Sequence, residues 1–125
     1  MTAIRKAWLV LGWLWVAVVF YLSLTPHPPE PVQFWNVDKL EHALAYALLM
    51  LWFCQLAYSR VRLGLAFVAM GVGIEFLQGM TGYRYFEYAD MLANSTGVLL
   101  GWSLAGTAAG RILLKIEAGA VQPER

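Results

Sequence analysis

Residues 63–79, LGLAFVAMGVGIEFLQG, form an apolar stretch that contains a single charged residue, Glu75. A helix needs about 20 residues to cross the hydrocarbon core of a bilayer, with a range of about 17 to 25. This stretch therefore reaches the length of a membrane span only if Glu75 lies inside it. Because hydrocarbon is a poor solvent for ions, an acid at this position indicates a specific partner inside the protein.

Three other stretches, uncharged or nearly so, have comparable length, and together they predict membrane spans at 7–25, 40–59, 63–80 and 90–112. The composition agrees, since 60% of the residues are hydrophobic and 14% are charged, whereas soluble domains are about half apolar and a quarter charged. The first stretch exceeds the core of a signal peptide, about 7 to 15 residues, so we interpret it as a retained helix. We predict one all-α domain, 1–125, folded as an integral membrane bundle of four transmembrane helices.

The basic residues predict the orientation of these helices. With four spans, seven of the nine basic residues fall on one side of the membrane: Arg5, Lys6, Arg60, Arg62, Arg111, Lys115 and Arg125. Lys39 and Arg84 fall on the other side. Basic residues are enriched in cytoplasmic loops, so we expect both termini in the cytoplasm.

Polar residues gather at the opposite, outer ends of the predicted helices. The second helix starts near Asp38, the third ends with Glu75 and Gln78, and the fourth starts near Asp90. At 1.5 Å per residue, His42 and Asn94 lie about 6 Å inside their helix starts, and Glu75 lies about 10 Å below the outer surface. Three helices thus place polar side chains at similar depth, which predicts a polar pocket open to the outside.

Three short motifs carry these residues in series. They are Asp38-Lys39-x-x-His42-x-x-x-Tyr46, Glu75-x-x-Gln78, and Arg84-x-x-Glu87-x-x-Asp90-x-x-x-Asn94-x-x-Gly97. In this order the chain resembles the VanZ-like membrane proteins, a family named for a teicoplanin-resistance accessory protein, over residues 38–101. The resemblance implies a bacterial envelope protein in the inner membrane, and with it a connection to antibiotic resistance.

The candidate site residues fall into two groups. Candidates for acid and base catalysis are Asp38, His42, Glu75 and Asp90, and candidates for ligand binding are Lys39, Tyr46, Gln78, Arg84, Glu87 and Asn94. Structural roles compete with these: Asp38 and Asp90 can cap helices, and Gln78 and Asn94 can join helices.

Other features favour structural roles. Gly97, Gly101 and Ala105 repeat every four residues and form a small-residue face, which can pack against a helix of the same chain or of a second copy. The tryptophans Trp8, Trp13 and Trp15 are most simply anchors at the membrane interface.

The sequence has no hydrolase elbow, phosphate loop or zinc-protease motif, so no familiar catalytic motif identifies a reaction. Three classes of function remain open: a binding module, a membrane enzyme and an assembly subunit. We favour a binding module for a lipid headgroup, glycan or lipid-linked envelope precursor, glycopeptide or lipophilic antibiotic, with Lys39 and Arg84 taking its anionic groups. A membrane enzyme acting by acid and base chemistry, or an assembly subunit, are the alternatives. Membrane lipids are the expected partners. We expect no nucleic acid, since the net charge is +1, and no cofactor. Within the enzyme hypothesis, His42, Glu75 and Asp90 form an alternative but weak ligand set for a divalent cation, and no metal site is assigned.

Overall fold

The computed structural model describes residues 1–25, 37–82 and 87–120, and for residues 37 and 38 the backbone alone. The described elements are α1 (Ala3–Leu24), α2 (Val37–Cys54), α3 (Arg60–Met80), α4 (Tyr88–Ala105), a 3-10 turn (Ala108–Arg111) and α5 (Ile112–Ala120). Within these ranges the chain is helical and has no strand, so the predicted all-α class is confirmed.

Two helices, α1 and α3, are long and apolar enough to cross a membrane. The helix pair α4 and α5 meets the same requirement as one span, although the two are bent by 75°. The helix α2 has the length but carries Asp38, Lys39 and Glu41 in its first turns. The described helices therefore fit a bundle of membrane helices, in which α2 and α4 do not qualify as spans on their own.

Helices α2 and α4 run in the same direction and lie very close together. A Cβ atom added to Gly97 would lie 2.1 Å from the carbonyl oxygen of Ala43, and one added to Gly101 would lie 2.6 Å from that of Ala47. No residue with a side chain fits at such distances, so these glycines permit the close approach. The small-residue face is thus occupied by α2 within the chain, and its use between two copies stays a prediction.

Helix α3 packs against α2 and α4 and is antiparallel to both. Gly71 lies beside Asn94 near one end, and Gly64 lies against Trp102 near the other. Buried apolar side chains from three helices, Met50 of α2, Ile74 of α3 and Val98 of α4, belong to the core between them.

Helix α1 attaches to α2 through tryptophans. The rings of Trp8 and Trp52 stack at 3.7 Å, and each indole N–H donates to the other residue's carbonyl oxygen, at 2.9 and 2.8 Å. The Trp15 indole donates to the Ala45 carbonyl oxygen at 3.4 Å. Two of the three tryptophans expected to be interface anchors therefore join helices, while Trp13 is 61% exposed.

The chain departs from the predicted spans at the end of the bundle where α2 and α4 stop. Helix α2 ends at Cys54 and α4 at Ala105, before the predicted limits at 59 and 112. Gly110 allows the chain to turn back, since an added Cβ would lie 1.9 Å from the Ala105 carbonyl oxygen. Helix α5 then runs to Ala120, beyond the last predicted span, and its Glu117 pairs with Arg5 at 3.0 Å.

Candidate functional site

Glu75 lies deep between helices, with 1% of its surface exposed. Its Oε1 atom accepts the backbone N–H of Glu87, at the start of α4, at 3.0 Å. The carboxyl groups of Asp90 and Glu87 lie near enough to interact with it electrostatically. The acid inside the third stretch therefore faces the fourth helix and not the lipid, as its cost in hydrocarbon requires.

His42 and Asn94 join α2 to α4 at the same end of the bundle. The Nδ1 atom of His42 lies 3.0 Å from the Oδ1 atom of Asn94, which fits a hydrogen bond donated by the imidazole. Asn94 is buried and its amide lies against Gly71 of α3. The Tyr46 hydroxyl lies one turn further along α2, also facing Gly71.

Gln78, one turn beyond Glu75, ties α3 to α1. Its side-chain Nε2 atom donates to the Ser23 carbonyl oxygen at 2.7 Å, and its backbone carbonyl oxygen accepts the Thr81 hydroxyl at 2.7 Å. We name the residues His42, Tyr46, Gly71, Glu75, Gln78 and Asn94 the polar cluster.

A rim of charged residues lies between the polar cluster and the surface. The Lys39 ammonium contacts the carboxylates of Glu87, at 2.5 Å, and of Asp90. The side chain of Glu87 is 45% exposed, that of Lys39 22% and that of Asp90 10%, so the rim leads from solvent to the buried cluster.

Three buried polar atoms of the cluster have no hydrogen-bond partner among the described residues. They are the Tyr46 hydroxyl oxygen, Glu75 Oε2 and Gln78 Oε1. Leaving such an atom unpaired costs about 1 to 3 kcal/mol, and most buried polar atoms in proteins are paired. These three atoms set the polar cluster apart from the other buried polar side chains of the described chain.

The sequence-predicted residues divide into three sets. The structure brings together His42, Tyr46, Glu75, Gln78 and Asn94 in the cluster and Lys39, Glu87 and Asp90 in the rim. Arg84 and the side chain of Asp38 lie outside the described residues. The predicted capping role of Asp90 is not observed, since Glu87 occupies the cap position of α4 and Asp90 pairs with Lys39 inside the first turn.

Sequence reasoning missed two contributors. Gly71 makes room for Asn94 and Tyr46, because an added Cβ would lie 3.0 Å from Asn94 Nδ2 and 3.4 Å from the Tyr46 hydroxyl. Its place one turn before Glu75 was the available signal. The Ser23 carbonyl oxygen could not be recognised, since every residue has one.

Among the described residues, no three His, Cys, Asp or Glu side chains are grouped so that they could hold a metal ion. His42 is turned to the Asn94 amide, and Ser95, next to Asn94 in sequence, points about 100° away from it on the helix.

The fold and the buried polar residues define an α-helical membrane protein with a polar site between its helices. The sequence profile of the family described as VanZ/LLP1 matches residues 7–109. The chain belongs to this family, and the resemblance inferred from the three motifs is confirmed.

The comparison with curated proteins adds one relative. An uncharacterised protein of Schizosaccharomyces pombe is 34% identical over 109 residues, which cover 82% of this chain and 62% of that protein. The chain thus spans less than two-thirds of the length of this relative. No solved structure matches the chain.

Proposed function

We propose that the polar cluster binds the headgroup of a membrane amphiphile, a lipid or a lipid-linked glycan precursor, at the outer side of the bacterial inner membrane. The observation that carries the proposal is the group of three unpartnered buried atoms on Tyr46, Glu75 and Gln78. A headgroup that enters past the rim would supply the missing hydrogen bonds.

The three unpartnered oxygen atoms favour a ligand with hydrogen-bond donors. Carboxylate and amide oxygens, as in Glu75 and Gln78, only accept hydrogen bonds, and a tyrosine hydroxyl can accept or donate. The Lys39 ammonium is already held by Glu87 and Asp90. Among the described residues this end therefore attracts hydroxyl or ammonium groups, and it offers little to the anionic groups first expected at Lys39.

The proposal includes four membrane crossings with both termini in the cytoplasm. Helices α2 and α4, with 18 residues each, would be about 27 Å long, close to the hydrocarbon thickness of about 30 Å. Polar side chains of α2 and α4 face each other: His42 pairs with Asn94 and Lys39 with Asp90. Helix α5, bent 75° from α4, would lie along the cytoplasmic interface with Leu113 buried.

Cysteine labelling tests this topology. In a Cys54→Ser background we expect Glu41→Cys to react with a membrane-impermeant maleimide in intact cells, and Lys115→Cys to react only after permeabilisation. Both native residues are exposed, so reactivity reports the side of the membrane. Labelling of both positions from one side would contradict the proposed arrangement.

Lipid binding tests the site. The protein is purified into nanodiscs, and binding of a neutral glucosyl-diacylglycerol, rich in hydroxyl groups, is compared with that of phosphatidylcholine, whose headgroup has no hydrogen-bond donor. We expect preference for the glycolipid. Glu75→Gln should weaken glycolipid binding about tenfold or more, because a hydrogen bond to a charged group contributes about 1.5 to 3 kcal/mol.

The matched control is Glu41→Gln, which makes the same chemical change on an exposed side chain at the same end of the bundle. Equal binding by wild type and Glu75→Gln would contradict the proposal and leave the assembly subunit as the simplest function. Release of the sugar by wild type, and not by Glu75→Gln, would favour the membrane enzyme instead.

A further inference from the structure

A groove lies between α1 and α3, away from the polar cluster and nearer the end where α3 begins. Its volume is about 490 Å³, which falls within the range of about 300 to 1,000 Å³ typical of ligand pockets. Most of its lining is apolar: Leu9, Trp13, Val16, Phe53, Leu63, Ala66, Phe67 and Met70.

The groove has a rigid aromatic floor. Phe53 of α2 lies between the two outer helices, with its ring centroid 5.9 Å from that of Trp13 and 5.5 Å from that of Phe67. Both Phe53 and Phe67 are buried. The floor therefore separates the groove from the core of the bundle, and the groove opens away from α2.

Hydrocarbon is the medium that the groove faces. Helices α1 and α3 are the two described helices that are individually long and apolar enough to cross a membrane. From Leu63 to Met70 the groove follows α3 for about 10 Å, less than the depth of one leaflet, about 15 Å of the hydrocarbon core. A chain entering from the interface would stay within that leaflet.

The mouth of the groove is polar and positively charged. Tyr58, Ser59 and Arg62 line it, and all three are exposed. The Ser59 hydroxyl oxygen accepts the backbone N–H of Arg62 at 3.4 Å, which leaves its own hydrogen available to donate.

Arg62 is the basic residue that lines the groove. Arg5 pairs with Glu117, and the Arg60 guanidinium lies against Gly106 at the end of α4. The Arg62 side chain forms no ion pair or hydrogen bond with the rest of the described chain. A free guanidinium at the mouth of an apolar groove complements a molecule with an anionic head and an apolar chain.

We propose that this groove binds an anionic phospholipid, with one acyl chain along Trp13, Ala66 and Phe67 and the phosphate on Arg62 and Ser59. Basic pockets between membrane helices recognise anionic headgroups in this manner. The site is separate from the polar cluster, and it selects the negative charge of the phosphate, whereas the polar cluster is proposed to select hydrogen-bond donors.

Spin-labelled lipids test the proposal. The full chain is reconstituted in phosphatidylcholine vesicles with trace chain-labelled phosphatidylglycerol or phosphatidylcholine, and electron spin resonance gives the fraction of motionally restricted lipid. We expect phosphatidylglycerol to associate preferentially. Arg62→Gln should reduce its relative association constant about fivefold, the effect of one basic residue near an anionic surface.

Two matched pairs of variants separate a site from general attraction. Arg60→Gln removes the same charge two residues earlier and should change the constant less than twofold. Ala66→Phe fills the groove and should lower the restricted fraction of phosphatidylglycerol, whereas Ala69→Phe, on the same helix but outside the lining, should not. Thermal midpoints of all four variants show whether they fold.

Several results would overturn the proposal. Equal effects of Arg62→Gln and Arg60→Gln would mean unspecific charge attraction. No effect of Ala66→Phe would mean that the groove is not occupied by lipid. Crosslinked dimers that disappear with Ala66→Phe, without a change in lipid association, would assign the groove to a second copy. Because the glycerol hydroxyls of phosphatidylglycerol also suit the polar cluster, Arg62→Gln and Ala66→Phe are compared again in the Glu75→Gln background. Effects of the same size there separate this site from the proposed headgroup site, and effects that vanish there would overturn the proposal.

Discussion

Two buried glutamines, at opposite ends of the bundle, differ in how completely their side-chain amides are hydrogen-bonded. Gln55, 5% exposed, donates to the carbonyl oxygens of Leu51 and Ala109 at 3.2 and 2.7 Å and accepts the N–H of Leu113 at 3.2 Å. Gln78, 1% exposed, donates to Ser23 and leaves its Oε1 atom without a partner among the described residues. Gln55 joins helices with both its amide groups bonded, and we call it the structural lock. Gln78 keeps a side-chain oxygen that can still accept a hydrogen bond.

The same contrast extends to the neighbours of each glutamine. Near Gln55, the Trp8 and Trp52 indoles pair reciprocally and Arg5 pairs with Glu117. Near Gln78, Glu75 and Tyr46 each keep an unpartnered oxygen in the described structure. Hydrogen-bonded polar groups hold α5 and α1 against α2, whereas the unpartnered atoms at the other end are the ones on which the proposed binding site rests.

The largest expected effect on stability is at Gly97, the glycine that permits the close approach of α2 and α4 one turn from Asn94. Gly97→Ala should destabilise the protein by about 3 kcal/mol, the upper range for overpacking, because the added Cβ would lie 2.1 Å from the Ala43 carbonyl oxygen. Thermal unfolding in detergent, followed by size-exclusion chromatography, measures the change.

Gly73→Ala is the control for that substitution. It has no atom within 4 Å of the added Cβ, and alanine is favoured over glycine in a helix by about 0.5 to 1 kcal/mol. If Gly97→Ala proved as stable as Gly73→Ala, the close approach of α2 and α4 would be wrong.

The structural lock predicts the next largest effect. Gln55→Leu should cost about 2 to 3 kcal/mol, because it leaves the Ala109 carbonyl and the Leu113 N–H without their partner, and each unpaired buried group costs about 1 to 3 kcal/mol. Limited proteolysis should cut first between α4 and α5 in this variant. Unchanged stability and protection would show that α5 is held by Leu113 and by the Arg5–Glu117 pair, without a contribution from Gln55.

Gln78→Leu should have a smaller effect on stability, about 1 kcal/mol, the usual value of one hydrogen bond. It removes the bond to Ser23 but also removes an unpaired buried oxygen, which partly offsets the loss. Glycolipid binding should fall at the same time. The comparison between the two ends would fail if Gln78→Leu destabilised the protein more than Gln55→Leu.

The smallest expected effect is at the ion pair of the basic end. Arg5 and Glu117 are partly exposed, at 24% and 17%, and such pairs contribute about 0 to 1 kcal/mol. Arg5→Gln should therefore lower stability by about 0.5 kcal/mol at low salt, and less at high salt because ions screen the pair. A loss that is large and independent of salt would mean that Arg5 acts through packing.

Much of the fold and of the site follows from periodicity and the cost of charge in hydrocarbon. The starts of α2 and α4 and the end of α3 were predicted within about two residues, the usual uncertainty of helix ends. The family motifs placed most of the cluster and rim. The bend after Ala105 was not predicted, because glycine and threonine within an apolar run do not by themselves end a helix.

The amino-acid sequence by itself determined that this chain is a helical membrane protein of the VanZ/LLP1 family, because apolar length and motif spacing are properties of the linear chain. Only the tertiary structure decided which polar groups are satisfied. Gln55 meets Ala109 and Leu113, 54 and 58 residues away. Glu75 meets the backbone of Glu87, while its other oxygen has no hydrogen-bond partner in the described part of the chain. Hydrogen bonding depends on which atoms meet in space, and distant parts of a chain meet only when the helices pack.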